Sequence, residues 1–229
     1  MKRLMNAVWL GVLLGGTLAV YATPTLKIQD ESGSMTIADQ DVNDTDSTVG
    51  IVSWSGTVGK WYVQVTTGVT KPALGSAISP RFDLLTLDTF KTGSGTSTLV
   101  VEFSENDFTV PLPAGAKAEV GGTLESTTSL LYKTYVGHDN VEFTKSAVIT
   151  TMGPYGPGGS FSGTTYGSVP APPSPGNVSF TLRLELTDTS VGGYSSVDAT
   201  LAVPDTGSSL LLLGSALGCL GLLARSRKN

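Results

Sequence analysis

Cysteine is nearly absent, with Cys219 the only one in 229 residues. It falls in an apolar stretch near the C-terminus, so the rest of the chain has no disulfide. A fold without crosslinks must bury enough core to stand alone. Histidine is equally scarce, with His138 alone. One histidine and one cysteine in an apolar run cannot furnish the usual zinc ligand set. Charge is thin too: 14% of residues are Asp, Glu, Lys or Arg, against roughly 25% in a typical soluble domain. What charge there is in the middle is mostly negative. Residues 23–204 carry 18 acids and 9 bases, a net of −9. Such a surface repels a phosphate backbone, so nucleic acid is excluded as a partner. Helical periodicity is also missing from residues 23–202.

Alternation at period two takes its place. In residues 177–187, Val178, Phe180, Leu182, Leu184 and Leu186 fall on one face. Ser179, Thr181, Arg183, Glu185 and Thr187 fall on the other, the mark of a half-buried strand. Residues 97–103 and 60–66 repeat the pattern. Similar runs occupy 25–29, 49–54, 116–124, 130–136, 141–151 and 194–203. Gly56, Gly68, Gly93, Gly95, Gly121, Gly122, Gly192 and Gly193 punctuate them as turn signals. The expected fold class is all-β: a single β-sandwich of about ten to twelve strands with jelly-roll-like connections, spanning 23–202. Residues 153–176 are rich in Gly and Pro. Only 26 residues separate them from the tail motif at 203, too few for a second domain. They therefore read as a long surface loop within one domain.

Both ends are specialised. Lys2 and Arg3 precede an apolar stretch from Ala7 to Val20. Val20 and Ala22 then stand at the −3 and −1 positions of a cleavage site. Residues 1–22 are expected to be a signal peptide cut after Ala22. At the other end, Val203, Pro204, Asp205, Thr206, Gly207 and Ser208 form a polar motif. An uncharged run, 210–224, follows, and Arg225, Arg227 and Lys228 close the chain. Fifteen helical residues span about 22 Å, short of the ~30 Å hydrocarbon core. A transmembrane helix at about 208–224 would thus be marginal. The basic end would stay in the cytoplasm, leaving the β domain outside.

Motif, apolar helix and basic end together resemble the PEP-CTERM sorting signal of bacteria, in a Val-Pro-Asp variant of its leading triplet. The likeness covers 203–229. Residues 49–67, 70–76 and 103–108 also resemble a Gly/Thr/Ser-rich β family that carries such tails and has no assigned activity. The resemblance implies an exosortase-type membrane transpeptidase as partner and exposure among extracellular polysaccharide. Sortase substrates are a neighbouring possibility, since their Leu-Pro-x-Thr-Gly differs from residues 203–207 at one position. A glycolipid-anchor signal fits less well, because its tail ends apolar and not basic. Asp205-Thr206-Gly207 also spells an aspartic-protease string, but that chemistry needs two carboxylates sharing a proton. A second Asp-Thr-Gly is absent.

Other constellations are sparse, and the expected function is that of an exported, structural, non-enzymatic protein of the cell envelope or extracellular matrix, without a cofactor. Asp39, Asp41, Asp44 and Asp46 crowd one stretch, a weak calcium candidate lacking the EF-hand glycine and glutamate; a solvated loop is the plainer reading. Glu105, Asn106 and Asp107 form a similar small cluster. His138, beside Asp139, has no identifiable nucleophile for a triad and reads as a turn residue. Trp54, Trp61, Tyr62, Tyr132, Tyr135, Tyr155 and Tyr166 are candidates for a sugar platform. Alternation places Trp61 inside, whereas Tyr155 and Tyr166 in the Gly/Pro stretch are candidates for exposure. A carbohydrate- or calcium-binding surface adhesin is therefore the alternative function. Gly214 and Gly218 give the tail a Gly-x-x-x-Gly face.

Overall fold

The computed structural model describes residues 23–204. The expected signal peptide with its Ala22 site, the transmembrane helix, and Asp205 through Lys228 lie outside the described residues. Thirteen strands follow in order: β1 (Thr25–Gln29), β2 (Ser34–Ala38), β3 (Ile51–Val58), β4 (Trp61–Val69), β5 (Gly75–Ser76), β6 (Ser79–Lys91), β7 (Ser97–Phe108), β8 (Ala114–Leu124), β9 (Thr128–Gly137), β10 (Ala147–Tyr155), β11 (Gly159–Val169), β12 (Val178–Asp188) and β13 (Tyr194–Ala202). One sheet has the order β10-β9-β12-β7-β1-β2 and the other β11-β8-β13-β6-β4-β3, with β5 paired to β6. From β6 onward the chain passes from sheet to sheet at nearly every connection, as a jelly roll does; only β9 and β10 are successive strands of one sheet.

The fold is the expected all-β sandwich, its twelve longer strands joined by the two-residue β5. Two segments differ from expectation. Residues 153–176 are not one long loop: β11 runs through 159–169 and pairs with β8 along its whole length. Gly163 and Gly167 share its inner face with Phe161, Thr165 and Val169, while Ser160, Ser162, Thr164, Tyr166 and Ser168 point outward. Residues 141–146 are not strand. Asn140 and Phe143 have φ of 58° and 59°, a left-handed backbone that interrupts regular strand pairing here.

The core lies between the sheets. Phe82 of β6 meets Phe103 and Phe108 of β7 with ring centroids 5.8 and 5.4 Å apart, and Phe108 meets Phe180 of β12 at 5.3 Å. Tilted and edge-on contacts of this kind add to burial because ring edges are positive and faces negative. Tyr132 of β9 is fully buried, and its hydroxyl donates to the Thr200 carbonyl of β13 at 2.7 Å. Gly68 sits where a Cβ would lie 2.5 Å from the Phe103 ring, so the two sheets touch closely there.

The outer faces of the two sheets differ. Residues 138–146 fold over the first. Ser179 Oγ donates to the Val141 carbonyl at 2.7 Å, the Phe143 amide donates to Ser104 Oγ at 3.0 Å, and Lys145 pairs with buried Glu102 at 2.8 Å. Ser104, Thr134, Thr181 and Ser179 are buried beneath this cover or among their neighbours. The outer face of the second sheet carries exposed side chains on every long strand.

Candidate functional site

The open sheet can be read row by row from its register. Thr57 of β3 stands opposite Tyr62 of β4, Tyr62 opposite Phe90 of β6, and Phe90 opposite Tyr194 of β13. All three aromatics point outward and are 41%, 37% and 46% exposed. Neighbouring strands lie about 4.8 Å apart, so the row extends about 10 Å across the sheet. Tyr194 Oη donates to Gln64 Oε1 at 3.2 Å. Partial burial, then adjacent Asp88, hold its phenol above the ordinary tyrosine range. Polar rows continue along the strands. The next holds Asp88, Ser196, Thr123 and Ser160, and the one after it Asp198, Gly121 and Ser162. Beyond these come Asp83, Thr200, Glu119 and Thr164.

A trough of about 500 Å³ opens over Gly121 and is lined by Glu119, Ser162, Thr164, Asp198 and Thr200. Glu119 is held by Lys117 at 2.9 Å and accepts from Thr164 Oγ1 at 3.3 Å. The Lys117 hydrogen bond keeps its carboxyl below the usual range. Asp83 is pushed up by burial and then by the Asp198 charge. Tyr166 stands at the far corner opposite Lys117, 76% exposed.

The structure sorts the aromatic candidates. Trp54, Trp61, Tyr132 and Tyr135 are buried, and Tyr155 packs against the core beside Phe161. Tyr62 and Tyr166 are on the open face. Phe90 and Tyr194 were not among the candidates. Tyr194 could have been found, since it shares its strand parity with Ser196, Asp198 and Thr200 and is therefore an aromatic on a polar face. Phe90 could not. Phe82 and Leu84 point inward at even positions, but Leu87, Thr89 and Lys91 do so at odd ones. An extra residue in β6, opposite Val197–Ala199, flips the alternation between them.

The four aspartates of the second loop spend their oxygens on backbone. Asp39 Oδ2 accepts from the Gly50 amide, Asp41 Oδ1 from Asn43, Asp44 Oδ1 from Asp46 and Ser53, and Asp46 Oδ1 from Thr48. These bonds shape the 39–50 connection. No group of three or more His, Cys, Asp or Glu among the described residues is placed to hold a metal. His138 lies in the turn after β9, its amide donating to Ser146 Oγ.

The cluster at 105–107 is a structural hub. Glu105 is fully buried, pairs with Lys71 Nζ at 2.7 Å and accepts from Thr70 Oγ1 at 2.8 Å. Lys71 Nζ also donates to the Asn106 carbonyl and lies 4.0 Å from the centre of the Phe108 ring. Burial outweighs these partners and raises Glu105 to about 7. Burial likewise raises Glu142 to about 7, against a Thr25 hydrogen bond and the Lys71 charge. Asp107 and Asn140 bond reciprocally, at 2.7 and 2.6 Å.

In the tail motif, Val203 is buried and its amide donates to the Pro80 carbonyl at 2.9 Å. Pro204 is exposed.

No family model matches the chain, and no curated protein does. Among solved structures, it is similar to the enzymatically active domain of bacteriophage CBA120 tailspike protein 4, at 9% identity and TM-score 0.29, over 78% of this chain and 19% of that one. It is also similar to an infectious bursal disease virus (Gx strain) structure, at 15% identity and TM-score 0.34, over 90% and 54%. A third is the mannan-recognising carbohydrate-binding module TmCBM27, at 11% identity and TM-score 0.30, over 64% and 90%. The chain thus spans about a fifth and about half of the first two. At TM-scores below 0.5, these likenesses fix no function for it.

Proposed function

We propose that this protein is an exported, non-enzymatic component of a cell envelope or extracellular matrix that holds polysaccharide on the open face of its second sheet. The observation that carries the reading is the in-register row Tyr62, Phe90 and Tyr194. Three half-exposed aromatics side by side are a cost to solubility that surfaces rarely keep without a use. A pyranose ring offers one face of C–H groups to an aromatic ring and a rim of hydroxyls to neighbours. Gln64, Asp88, Ser196 and Thr123 supply that rim. Oligosaccharide binding to the purified 23–204 domain, followed by calorimetry, tests it. Phe90→Ala and Tyr194→Ala should each weaken binding about tenfold or more. Unchanged affinity in both variants would refute the assignment, and turnover of the bound glycan would refute the non-enzymatic part.

The location rests on the tail. Val203 is buried at the end of the fold and Pro204 is exposed; on this reading the motif that begins there is the substrate of a membrane transpeptidase of the exosortase type. The intact mass of the mature protein from cells tests this. Loss of both residues 1–22 and the apolar run is expected; a full-length tail in the finished envelope would count against sorting.

A further inference from the structure

Two adjacent glycines in β8 differ in what the fold asks of them. At Gly122, φ is 152° and an added Cβ would collide with the Ser196 carbonyl of β13. That glycine is required for strand pairing. Gly121 has no such constraint. A Cβ there would meet only the Phe161 carbonyl at 3.5 Å and Ser162 Cβ at 3.8 Å, both ordinary contacts. Glycine within a strand weakens it relative to alanine, and it marks places where a ligand or another backbone approaches closely. Among the described residues no backbone covers the outer side of Gly121; the trough opens there.

We infer that the trough over Gly121 is a second glycan subsite, continuous with the aromatic row, and that its ligand is a linear neutral polysaccharide. The inference rests on the glycan reading of the open face and extends it. Tyr194 and Asp198 point outward from the same strand four residues apart, a distance of about 14 Å. A ligand touching both subsites must be longer than a disaccharide. The lining decides its charge. Glu119 and Asp198 are hydrogen-bond acceptors, and Ser162, Thr164 and Thr200 add hydroxyls. A carboxylate accepts readily from sugar hydroxyls. Asp83 and Asp88 lie on the same face, with Arg81 and Lys117 as its bases at one end. A uronic-acid polymer would bring more negative charge to these four carboxylates, whereas a neutral chain meets no such repulsion.

The test uses the 23–204 domain with disaccharide and hexasaccharide members of β-1,4-linked gluco-, manno- and galacto-oligosaccharide series, and hexagalacturonate as the anionic probe. Gly121→Val fills the trough with a residue that strands favour. It should weaken hexasaccharide binding about tenfold and leave disaccharide binding on the aromatic row unchanged. Glu119→Gln, which keeps the shape, should reproduce part of that loss. Hexagalacturonate should bind more weakly than every neutral hexamer that binds. Hexasaccharide affinity unaffected by both variants would overturn the subsite, while loss on Phe90→Ala would leave the aromatic site standing. Tighter binding of hexagalacturonate would overturn the neutral-ligand assignment. Absence of binding to every oligosaccharide would overturn both the subsite and the reading beneath it. Thermal unfolding of each variant confirms that the fold is kept.

Discussion

Lys71 and Glu105 show how one buried pair can control a loop junction. Lys71 follows β4, Glu105 lies on β7, and their 2.7 Å contact sits under the connection that Asp39 and Gly50 also close. Replacing Lys71 by methionine leaves a buried carboxylate without its cation. We expect Lys71→Met to cost about 3 kcal/mol near pH 8. The loss should shrink by half or more near pH 5, where Glu105 takes a proton instead. Urea unfolding at the two pH values measures it. The wild-type chain should also depend on pH. Glu105 and Glu142 stay protonated in the fold up to about 7, against an ordinary value of 4.5. Between those values the unfolded chain binds fewer protons than the folded one, so stability falls as pH rises. The change is on the order of 2 kcal/mol from near pH 5 to near pH 8 for fully buried Glu105 alone, and half-buried Glu142 adds a smaller, solvent-screened part. Glu31 works the other way. Its Lys60 hydrogen bond lowers it to about 2, so its contribution is lost as pH falls from 4.5 towards 2. That pair is exposed and contributes little. Greater stability near pH 8 than near pH 5 would contradict the assignment.

At the scale of the strand, the two glycines of β8 give a paired prediction. Gly122→Ala should destabilise the domain by about 2–3 kcal/mol, because its Cβ has nowhere to go but into the β13 backbone. Gly121→Ala should be neutral or slightly stabilising. Denaturant midpoints of the two variants decide it, and similar losses in both would show that the difference in their surroundings is without consequence. The same strands show what could be read in advance. β12 was legible because five apolar side chains alternate without interruption, and β1 because its five residues do the same. β6 was not, since the irregularity near Leu85 reverses which parity faces inward. β11 was hidden by composition: Gly and Pro read as loop, yet its exposed Ser, Thr and Tyr residues alternate with a half-buried face beside β8. The site followed the same rule. Tyr62 could be placed outside by simple alternation, whereas Phe90, its partner across the row, could not. No local pattern reports that residues 138–146 cover one sheet and leave the other open.

For the molecule as a whole, order along the chain and order in space differ sharply. β12 lies between β9 and β7, and β13 between β8 and β6, so the last two strands are interior to both sheets. Truncation at Gly153 would remove both and split each sheet. We expect such a fragment to be unfolded by circular dichroism and rapidly digested, while 23–204 resists protease. A protected, strand-rich fragment ending at Gly153 would contradict this topology.

The seating of Val203 has a mechanical consequence. Tension on the chain beyond Pro204 enters the fold at the end of β13, along the axis of that strand. Hydrogen bonds to β6 and β8 flank it on both sides and share the load in parallel, in shear, so that none is peeled open singly. The outward side chains of Tyr194 and Asp198 belong to the same strand. A load applied between those side chains and the chain beyond Pro204 would pass through one continuous stretch of backbone, with both sheets left as its bracing.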